Sequence, residues 1–296
     1  MYLTTSSGQN IASMPAPYLT TSPRVTVLDN EDQSEVLAFL GVRPSHTFGM
    51  IGLIRDNGIV SPYNRGTFYA CRDLGGRLEG VALIGHNTLL EARSESAIEG
   101  FASVARHSEQ LFMVLGEQDK IARFWRYYSQ GGRPARLYCR ELLLEQRWCD
   151  QVQEPVNGLR LATQEDLDFI VPAHAQTVVD ESGIDPLEAD PAGFRERCAR
   201  RILQQKSWVW TENGKLIFKA EVVTDTPEVI YLEGVWVHPN ERGKGHGSRC
   251  MVQLTRTLLM RTFSVCLLVN EKFQTAQAFY RKAGYKLVDY YDTIFL

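Results

Sequence analysis

Three features are missing from this sequence of 296 residues, and each absence excludes a class of protein. No Cys-x-x-Cys pair occurs among the six cysteines, so neither a zinc site nor a redox dithiol is indicated. No run of about 18 apolar residues occurs, which argues against a membrane-spanning helix. An excess of basic residues is also missing, because the sequence has 32 Lys and Arg against 35 Asp and Glu, which gives a net charge of -3. A nucleic-acid partner is therefore not expected.

The cysteines and the N-terminal segment indicate the compartment. Residues 1–23 carry no charged side chain and contain Tyr-Leu-Thr-Thr-Ser twice, at 2–6 and 18–22. This segment lacks the basic and apolar regions of a secretory signal. We therefore expect a cytoplasmic protein with a disordered polar tail at 1–23 and no membrane partner. We expect buried, reduced thiols at Cys71, Cys139, Cys149, Cys198, Cys250 and Cys266.

The remaining sequence has the composition of a folded protein, with 44% hydrophobic and 23% charged residues. At roughly 100 to 200 residues per domain, the length predicts two domains. The first, 24–150, alternates strands and helices and is typical of an α/β domain. Its predicted strands are 24–28, 67–71, 78–84, 111–115 and 138–144, and its predicted helices are 29–40, 94–107 and one that holds Ile121, Phe124, Trp125 and Tyr128.

A polar linker, 151–158, precedes the second half, 158–296, where the order of elements repeats. The pair Asn213-Gly214 predicts a hairpin with a type I′ turn. Thr163 begins a predicted helix that Pro172 should kink or cut short. Predicted strands are 159–162, 208–211, 215–223, 229–237 and 265–270, and predicted helices are 163–179, 194–205, 248–262 and 273–283.

Each half also contains an aromatic helix that ends before a glycine. Phe124-Trp125 precedes Gly131, and Phe279-Tyr280 precedes Gly284, each at a similar distance after a strand. The two halves therefore look like diverged copies of one unit.

The most informative segment is 235–248, Val-Trp-Val-His-Pro-Asn-Glu-Arg-Gly-Lys-Gly-His-Gly-Ser. A β-branched strand leads through a proline turn into three alternate glycines and then a helix. Glycines let the backbone approach a ligand closely, and the N–H groups and dipole at a helix N-terminus favour a negative charge there. Arg242 and Lys244 add positive charge. The segment predicts a phosphate-binding loop, although it is neither a Walker A loop nor G-x-G-x-x-G.

Residues 242–247 match the R/Q-x-x-G-x-G/A signature of the GNAT N-acetyltransferase superfamily, with Arg242, Gly245 and Gly247 at its defined positions. Residues 278–285, Ala-Phe-Tyr-Arg-Lys-Ala-Gly-Tyr, resemble the family's aromatic-tyrosine segment. The resemblance covers about 158–296, which would then be the catalytic domain. It implies an α/β fold of two tandem GNAT-like domains, each a mixed, mostly antiparallel sheet flanked by helices.

The resemblance also implies acetyl-CoA as co-substrate and no metal. The pyrophosphate would lie on the loop amides, and the pantetheine arm along the strand edge at 235–237. Asn270 is a candidate for binding the pantetheine amides, and a strand-end asparagine without that role is the alternative. The cofactor-binding residues so implied are Val235, Trp236, Val237, Arg242, Gly243, Lys244, Gly245, His246, Gly247, Ser248, Asn270, Ala276 and Phe279.

Two side chains and one backbone N–H group are candidates for roles in the reaction. Gly234, inside a strand, predicts a bulge at the point where the family splays its fourth and fifth strands. By hypothesis, a backbone N–H near Val237 then stabilises the oxyanion. Glu233 is the candidate base, acting through a water on the acceptor ammonium, and a solvated glutamate is the alternative. Tyr280 matches the family's tyrosine that protonates the CoA thiolate, and packing beside Phe279 is its alternative.

The first half lacks the glycine loop. Residues 85–92 hold no glycine triplet, and Glu91 would be unfavourable beside a pyrophosphate. We expect 24–150 to be a degenerate GNAT-like domain that does not bind CoA in the usual way and that shapes the acceptor cleft or braces the second half. His238 and His246 flank the loop without a second ligand at metal spacing, so no metal site is predicted.

The expected function is direct transfer of an acetyl group from acetyl-CoA to an amine, either in a small molecule or at a peptide N-terminus. The protein would thus be an acyltransferase. Two alternatives stay open: a non-catalytic CoA-binding or regulatory module, and transfer of a longer acyl or an aminoacyl group.

Overall fold

The computed structural model describes residues 24–296. The predicted tail at 1–23 lies outside this range. Twelve strands form one sheet, and helices cover both of its faces. In the first half, strands β1–β6 are Arg24–Val27, Gly66–Arg72, Leu78–Gly85, Asn87–Ala92, Met113–Glu117 and Leu137–Gln146. Helices α1–α4 are Gln33–Leu40, Pro44–Asn57, Glu95–Ala105 and Gln118–Tyr128.

The second half contains strands β7–β12, which are Leu159–Leu161, Ser207–Glu212, Lys215–Asp225, Ile230–Val237, Val265–Asn270 and Lys286–Phe295. Its helices α5–α9 are Leu167–Ser182, Pro186–Ala189, Pro191–Leu203, His246–Leu259 and Gln274–Lys282. No helix within residues 24–296 has both the length and the hydrophobicity of a membrane span.

The strand order is β1-β2-β3-β4-β5-β12-β6-β11-β10-β9-β8-β7. Only β4 with β5 and β10 with β11 pair in parallel, so each half contributes a mixed, mostly antiparallel set of strands. The halves exchange their last strands: β12 lies between β5 and β6, and β6 lies between β12 and β11. Each half therefore relies on a strand from the other, and the boundary at 150–158 stays a prediction.

Side chains alternate between the two faces of the sheet, as strand geometry requires. On one face, α8 and α9 pack on a core that includes Leu232, Leu267 and Tyr280. On the other face, α5 and α7 pack over Val209 and Leu216. We call the first the α8/α9 face and the second the α5/α7 face.

Helix α2 was missed by the sequence analysis, and it joins the halves on the α5/α7 face. Met50, Ile51 and Ile54 lie in the core of the first half. Phe48 stacks on Tyr231 of β10 with ring centroids 4.0 Å apart. The N-terminal half thus covers part of the second half's sheet.

Most other elements lie where predicted, within a few residues. Of the two effects expected of Pro172, a kink or an early end, the early end was wrong, because α5 continues to Ser182. Proline removes one helical hydrogen bond. Burial of Ile170, Val171 and His174 around it offsets that loss. Strand β4 was also missed, and the end of the chain forms one long strand. The cysteines are free, five of them buried and Cys149 half-buried.

Candidate active site

A bulge in β10 opens the sheet, as the sequence predicted from Gly234. Strands β10 and β11 pair from Ile230 with Val265 to Leu232 with Leu267, and no further. The register of β10 against β9 then shifts between Glu233 and Trp236. Gly234 has φ +56°, in the left-handed region where a side chain is strained. Beyond the bulge, β10 and β11 diverge and leave a gap between their edges, which we call the strand gap.

The loop after β10 presents a row of unused amides. Gly243 and Gly245 have φ +78° and +83°, and α8 begins at His246. Within residues 24–296, no acceptor is in hydrogen-bond range of the amide nitrogens of residues 243–248. The buried Ser248 hydroxyl is also without a partner among those residues. Amides in alternating conformations at a helix N-terminus form a concave anion site, so the loop suits a phosphate group.

The cations at this loop are held locally. Arg242 Nε donates to the Val237 carbonyl at 3.1 Å, which keeps the guanidinium at the mouth of the strand gap. Lys244 pairs with Glu241 at 2.9 Å. His246 Nε2 lies 3.5 Å from the same carboxylate. Positive charge is therefore present at the loop, but Glu241 offsets part of it.

Gly247 lets α8 and α9 meet at the strand gap. A Cβ atom there would lie 2.8 Å from Val237 Cγ2 and 3.2 Å from Phe279 Cε2. Ala276, one turn before Phe279, packs against the same core. The structure thus brings the loop, the end of β10 and α9 together, as expected for residues that share a ligand.

The three strand residues expected along the ligand lie on different faces. Val235 and Val237 pack on the α8/α9 face, whereas Trp236 packs on the α5/α7 face. There Trp236 lines a cavity of about 630 Å³ together with Phe169, Asp180, His238 and Arg242. The cavity begins at the phosphate loop and follows α5, so it offers space for a ligand bound beside β10.

The candidate acid and base lie on opposite faces. Glu233 is half-buried on the α5/α7 face, with Oε1 3.8 Å from Arg201 of α7. Tyr280 is buried on the α8/α9 face, and burial raises the pKa of its hydroxyl, with a smaller contribution from Glu181. A high pKa keeps the proton on Tyr280 at neutral pH, as a proton donor requires.

Asn270 ends β11, and its side chain is partly used by the chain itself. Its Oδ1 accepts from the Lys272 amide at 2.9 Å, which is a turn before α9. This contact agrees with the alternative, a strand-end asparagine without a role in ligand binding. It leaves the side-chain NH2 group of Asn270 as the part that could bind a ligand.

A second carboxylate, not singled out in the sequence, lies across the strand gap. Glu141 of β6 is opposite Asn270 and accepts a hydrogen bond from Thr293. Burial raises the pKa of Glu141 to about 7, and the charge of Glu233 adds to the effect. The α5/α7 face therefore carries carboxylates on both sides of the gap.

Beneath the bulge lies a buried polar network that sequence analysis also missed. Lys219 and Glu221 of β9 are 0% and 1% exposed, with Nζ 3.1 Å from Oε1. Ser207 donates to Glu221 at 2.6 Å. His174 Nδ1 lies 3.4 Å from Lys219 Nζ, and Nε2 lies 3.2 Å from Arg201. Burial lowers the pKa of His174 far below its ordinary value, and these cations lower it further, so the ring is neutral.

The first half has an equivalent gap, but charged side chains fill it. Strands β4 and β5 pair only as far as Leu89 with Leu115. Beyond that point, Lys120 lies 2.6 Å from Glu91 and 2.7 Å from Glu117. Burial alone would raise the pKa of Glu117, but hydrogen bonds from Arg43 and Lys120 outweigh it and lower the pKa to about 2.

Three potential metal ligands, His46, Glu117 and Asp289, also meet here. Because Arg43 binds both oxygens of Glu117, at 2.9 and 2.8 Å, we assign no metal to this group.

Comparison with known proteins agrees with this geometry. Residues 204–287 match the model of the acetyltransferase (GNAT) domain. A UPF0039 protein of Schizosaccharomyces pombe is 31% identical over 74 residues, which are 25% of this chain. The chain spans about half, 49%, of that relative's length.

Solved structures show the same fold over more than nine tenths of the chain. An acetyltransferase of the GNAT family from Colwellia psychrerythraea has a TM-score of 0.58 at 12% identity, covering 92% of this chain and 100% of its own. A Drosophila protein has a TM-score of 0.68 at 11% identity, covering 93% and 99%. A tandem GNAT protein from the clavulanic acid biosynthesis pathway has a TM-score of 0.56 at 12% identity, covering 92% and 97%.

The fold is therefore that of a tandem GNAT protein. Within this fold, residues 204–287 are similar to the acetyltransferase (GNAT) domain.

Proposed function

We propose that the second half is an acetyl-CoA-dependent N-acetyltransferase that transfers the acetyl group directly to an amine, and that the first half, 24–150, is a non-catalytic partner. One observation carries the proposal: the strand gap opens at Gly234, and the same strand leads through residues 238–242 to the row of free amides at 243–248. A diphosphate on those amides would direct an extended pantetheine arm along 235–237 into the gap.

The chemistry then needs one base and one acid. Glu233 takes a proton from the acceptor ammonium through a water. The free amine attacks the thioester carbonyl, and a backbone N–H at the bulge stabilises the oxyanion. The carbon–sulfur bond breaks, and the Tyr280 hydroxyl protonates the departing thiolate. The amide nitrogen gives up its second proton through water to the tyrosinate, which restores the Tyr280 hydroxyl. Glu141 and Glu233 favour a positively charged acceptor on the α5/α7 face.

The first half supports the reaction without binding CoA. Its own gap is filled by Lys120, Glu91, Glu117 and Arg43, so a pantetheine arm would have to displace buried ion pairs. Its helix α2 instead packs on β10, where Phe48 stacks on Tyr231, and we assign this helix to the acceptor side of the site, the α5/α7 face.

Replacing the acid and the base tests these roles. We expect Glu233→Gln and Tyr280→Phe each to lower kcat by about 10²-fold, because each removes one proton transfer, while the Kd for acetyl-CoA stays nearly unchanged. CoA release is measured with a thiol reagent over a panel of amines, and binding is measured by calorimetry.

Glu212→Gln and Tyr290→Phe make the same chemical changes at exposed positions and should keep wild-type kcat. Wild-type turnover in both test variants would remove both assignments. Binding without any turnover by the wild-type protein would indicate a CoA-binding module instead. Faster release from longer acyl-CoA thioesters would indicate a different acyl group.

A further inference from the structure

We propose that Lys219 is a positioning residue that holds the Gly234 carbonyl and thereby aims the Val235 amide into the strand gap. The inference rests on the proposed function, since that amide matters to the reaction only if a thioester lies in the gap. Beyond the proposed function, the inference identifies Lys219 as the residue that sets the shape of the bulge.

Lys219 makes a direct contact with the bulge. Its Nζ donates to the Gly234 carbonyl oxygen at 3.1 Å. No peptide bond within residues 24–296 is cis, so the Val235 N–H points opposite to that carbonyl. Lys219 belongs to β9, which pairs with the edge of β10 opposite to β11, so we place the Val235 N–H on the edge from which β11 has separated.

Lys219 and His174 occupy the space next to Gly234. A Cβ atom on Gly234 would lie 3.1 Å from Lys219 Nζ and 3.2 Å from His174 Nδ1. His174 is neutral and packs against Phe194 with ring centroids 5.3 Å apart, so it acts as a rigid spacer. The ammonium therefore has little freedom to leave the carbonyl.

A buried lysine needs a counter-charge, and Glu221 supplies it. The hydroxyl of Ser207 holds Glu221 in turn. The ammonium of Lys219 has three N–H donors, and only one is used by Glu221, so another is available for the bulge. The additional bond goes to the carbonyl of Gly234, and because glycine adopts many backbone conformations at similar cost, an outside partner can select the one with φ +56°.

The test removes the bond without leaving a lone buried charge. Lys219→Met combined with Glu221→Gln keeps the shape and is neutral. Glu221→Gln alone removes the counter-charge of Lys219 but leaves an N–H donor for the Gly234 carbonyl. Thr226→Val is the matched control, because it removes a buried hydrogen-bonded hydroxyl just before the other end of β10.

For the double variant we expect kcat to fall about 10- to 100-fold, with the Kd for acetyl-CoA within about twofold of wild type. Hydrogen exchange should become faster at residues 233–237 and not elsewhere in β10. Glu221→Gln should retain more of the kcat than the double variant, and Thr226→Val should keep wild-type kcat. The inference is overturned if exchange at 233–237 is unchanged, or if the double variant matches Thr226→Val in kcat.

The exchange measurement does not depend on turnover. If the wild-type protein releases no thiol with any amine, the proposed function fails, and exchange at 233–237 still decides whether Lys219 holds the bulge. If wild-type turnover is normal and exchange does not change, the function stands and the role of Lys219 fails.

Discussion

Gly247→Val is expected to weaken acetyl-CoA binding by about 10- to 100-fold while leaving the chain folded. The new Cβ would lie 2.8 Å from Val237 Cγ2, and the two further methyl groups have to enter the same contact with Phe279. Adding methyl groups to a packed site raises the free energy of that conformation by about 1–3 kcal/mol. Because the strained conformation is the one that binds, and each 1.4 kcal/mol is a tenfold change in affinity, the expected loss is about 10- to 100-fold. The start of α8 would move away from β10, and the amides of 243–248 would no longer converge.

Calorimetric titration and thermal melting separate binding from folding in this variant. Gly131→Val is the control, since a Cβ at Gly131 meets no atom closer than 3.8 Å and the site is far from the loop. We expect Gly131→Val to bind acetyl-CoA as the wild type does. Normal affinity in Gly247→Val would show that the contact between loop, strand and α9 does not shape the ligand site.

The second half is not expected to fold by itself, despite carrying the proposed site. A chain that begins at Gly158 lacks β6, whose Leu142 and Leu144 lie in the core beneath α8. Loss of a single buried leucine side chain costs about 2–5 kcal/mol, against a total stability of about 5–15 kcal/mol for a domain. The edge of β11 would also be exposed.

Circular dichroism during heating tests this expectation. The fragment 158–296 should show no cooperative transition, and a fragment that begins at 134 and keeps β6 should recover one. A cooperative transition together with acetyl-CoA binding in 158–296 would mean that the exchanged strand is dispensable.

Local signals in the sequence predicted much of the candidate site. Asn213-Gly214 fixes a hairpin because both residues tolerate left-handed conformations. Gly234 predicted the bulge, since a glycine inside a β-branched strand has few other uses. The alternate glycines at 243–247 predicted the phosphate loop, and Glu91 distinguished the first half from the second. These features depend on a few adjacent residues, so they can be recognised in the sequence without knowledge of the fold.

Features that depend on partners far away in the chain were not predictable. Both β6 and β12 have apolar strand patterns, but such patterns do not specify the neighbouring strand, so their exchange was not foreseen. Helix α2 is buried on two sides, by its own half and by β9, and contains Gly49 and Gly52, which obscure a helical pattern.

Lys219 and Glu221 were missed for a related reason. They alternate with Phe218, Ala220 and Val222, a pattern typical of a strand with one face in water. Helices cover both faces of this sheet, so the polar positions are buried and must bind one another. The signal that could have identified them is two opposite charges, two residues apart, in an otherwise apolar strand opposite the bulge-forming glycine.

Calorimetric titration of the wild-type chain with acetyl-CoA tests the central claim most directly. The account predicts one bound acetyl-CoA per chain, because the loop at 243–248 is free and the gap of the first half is filled by Lys120 and its partners. Two bound molecules per chain, or no binding, would contradict it.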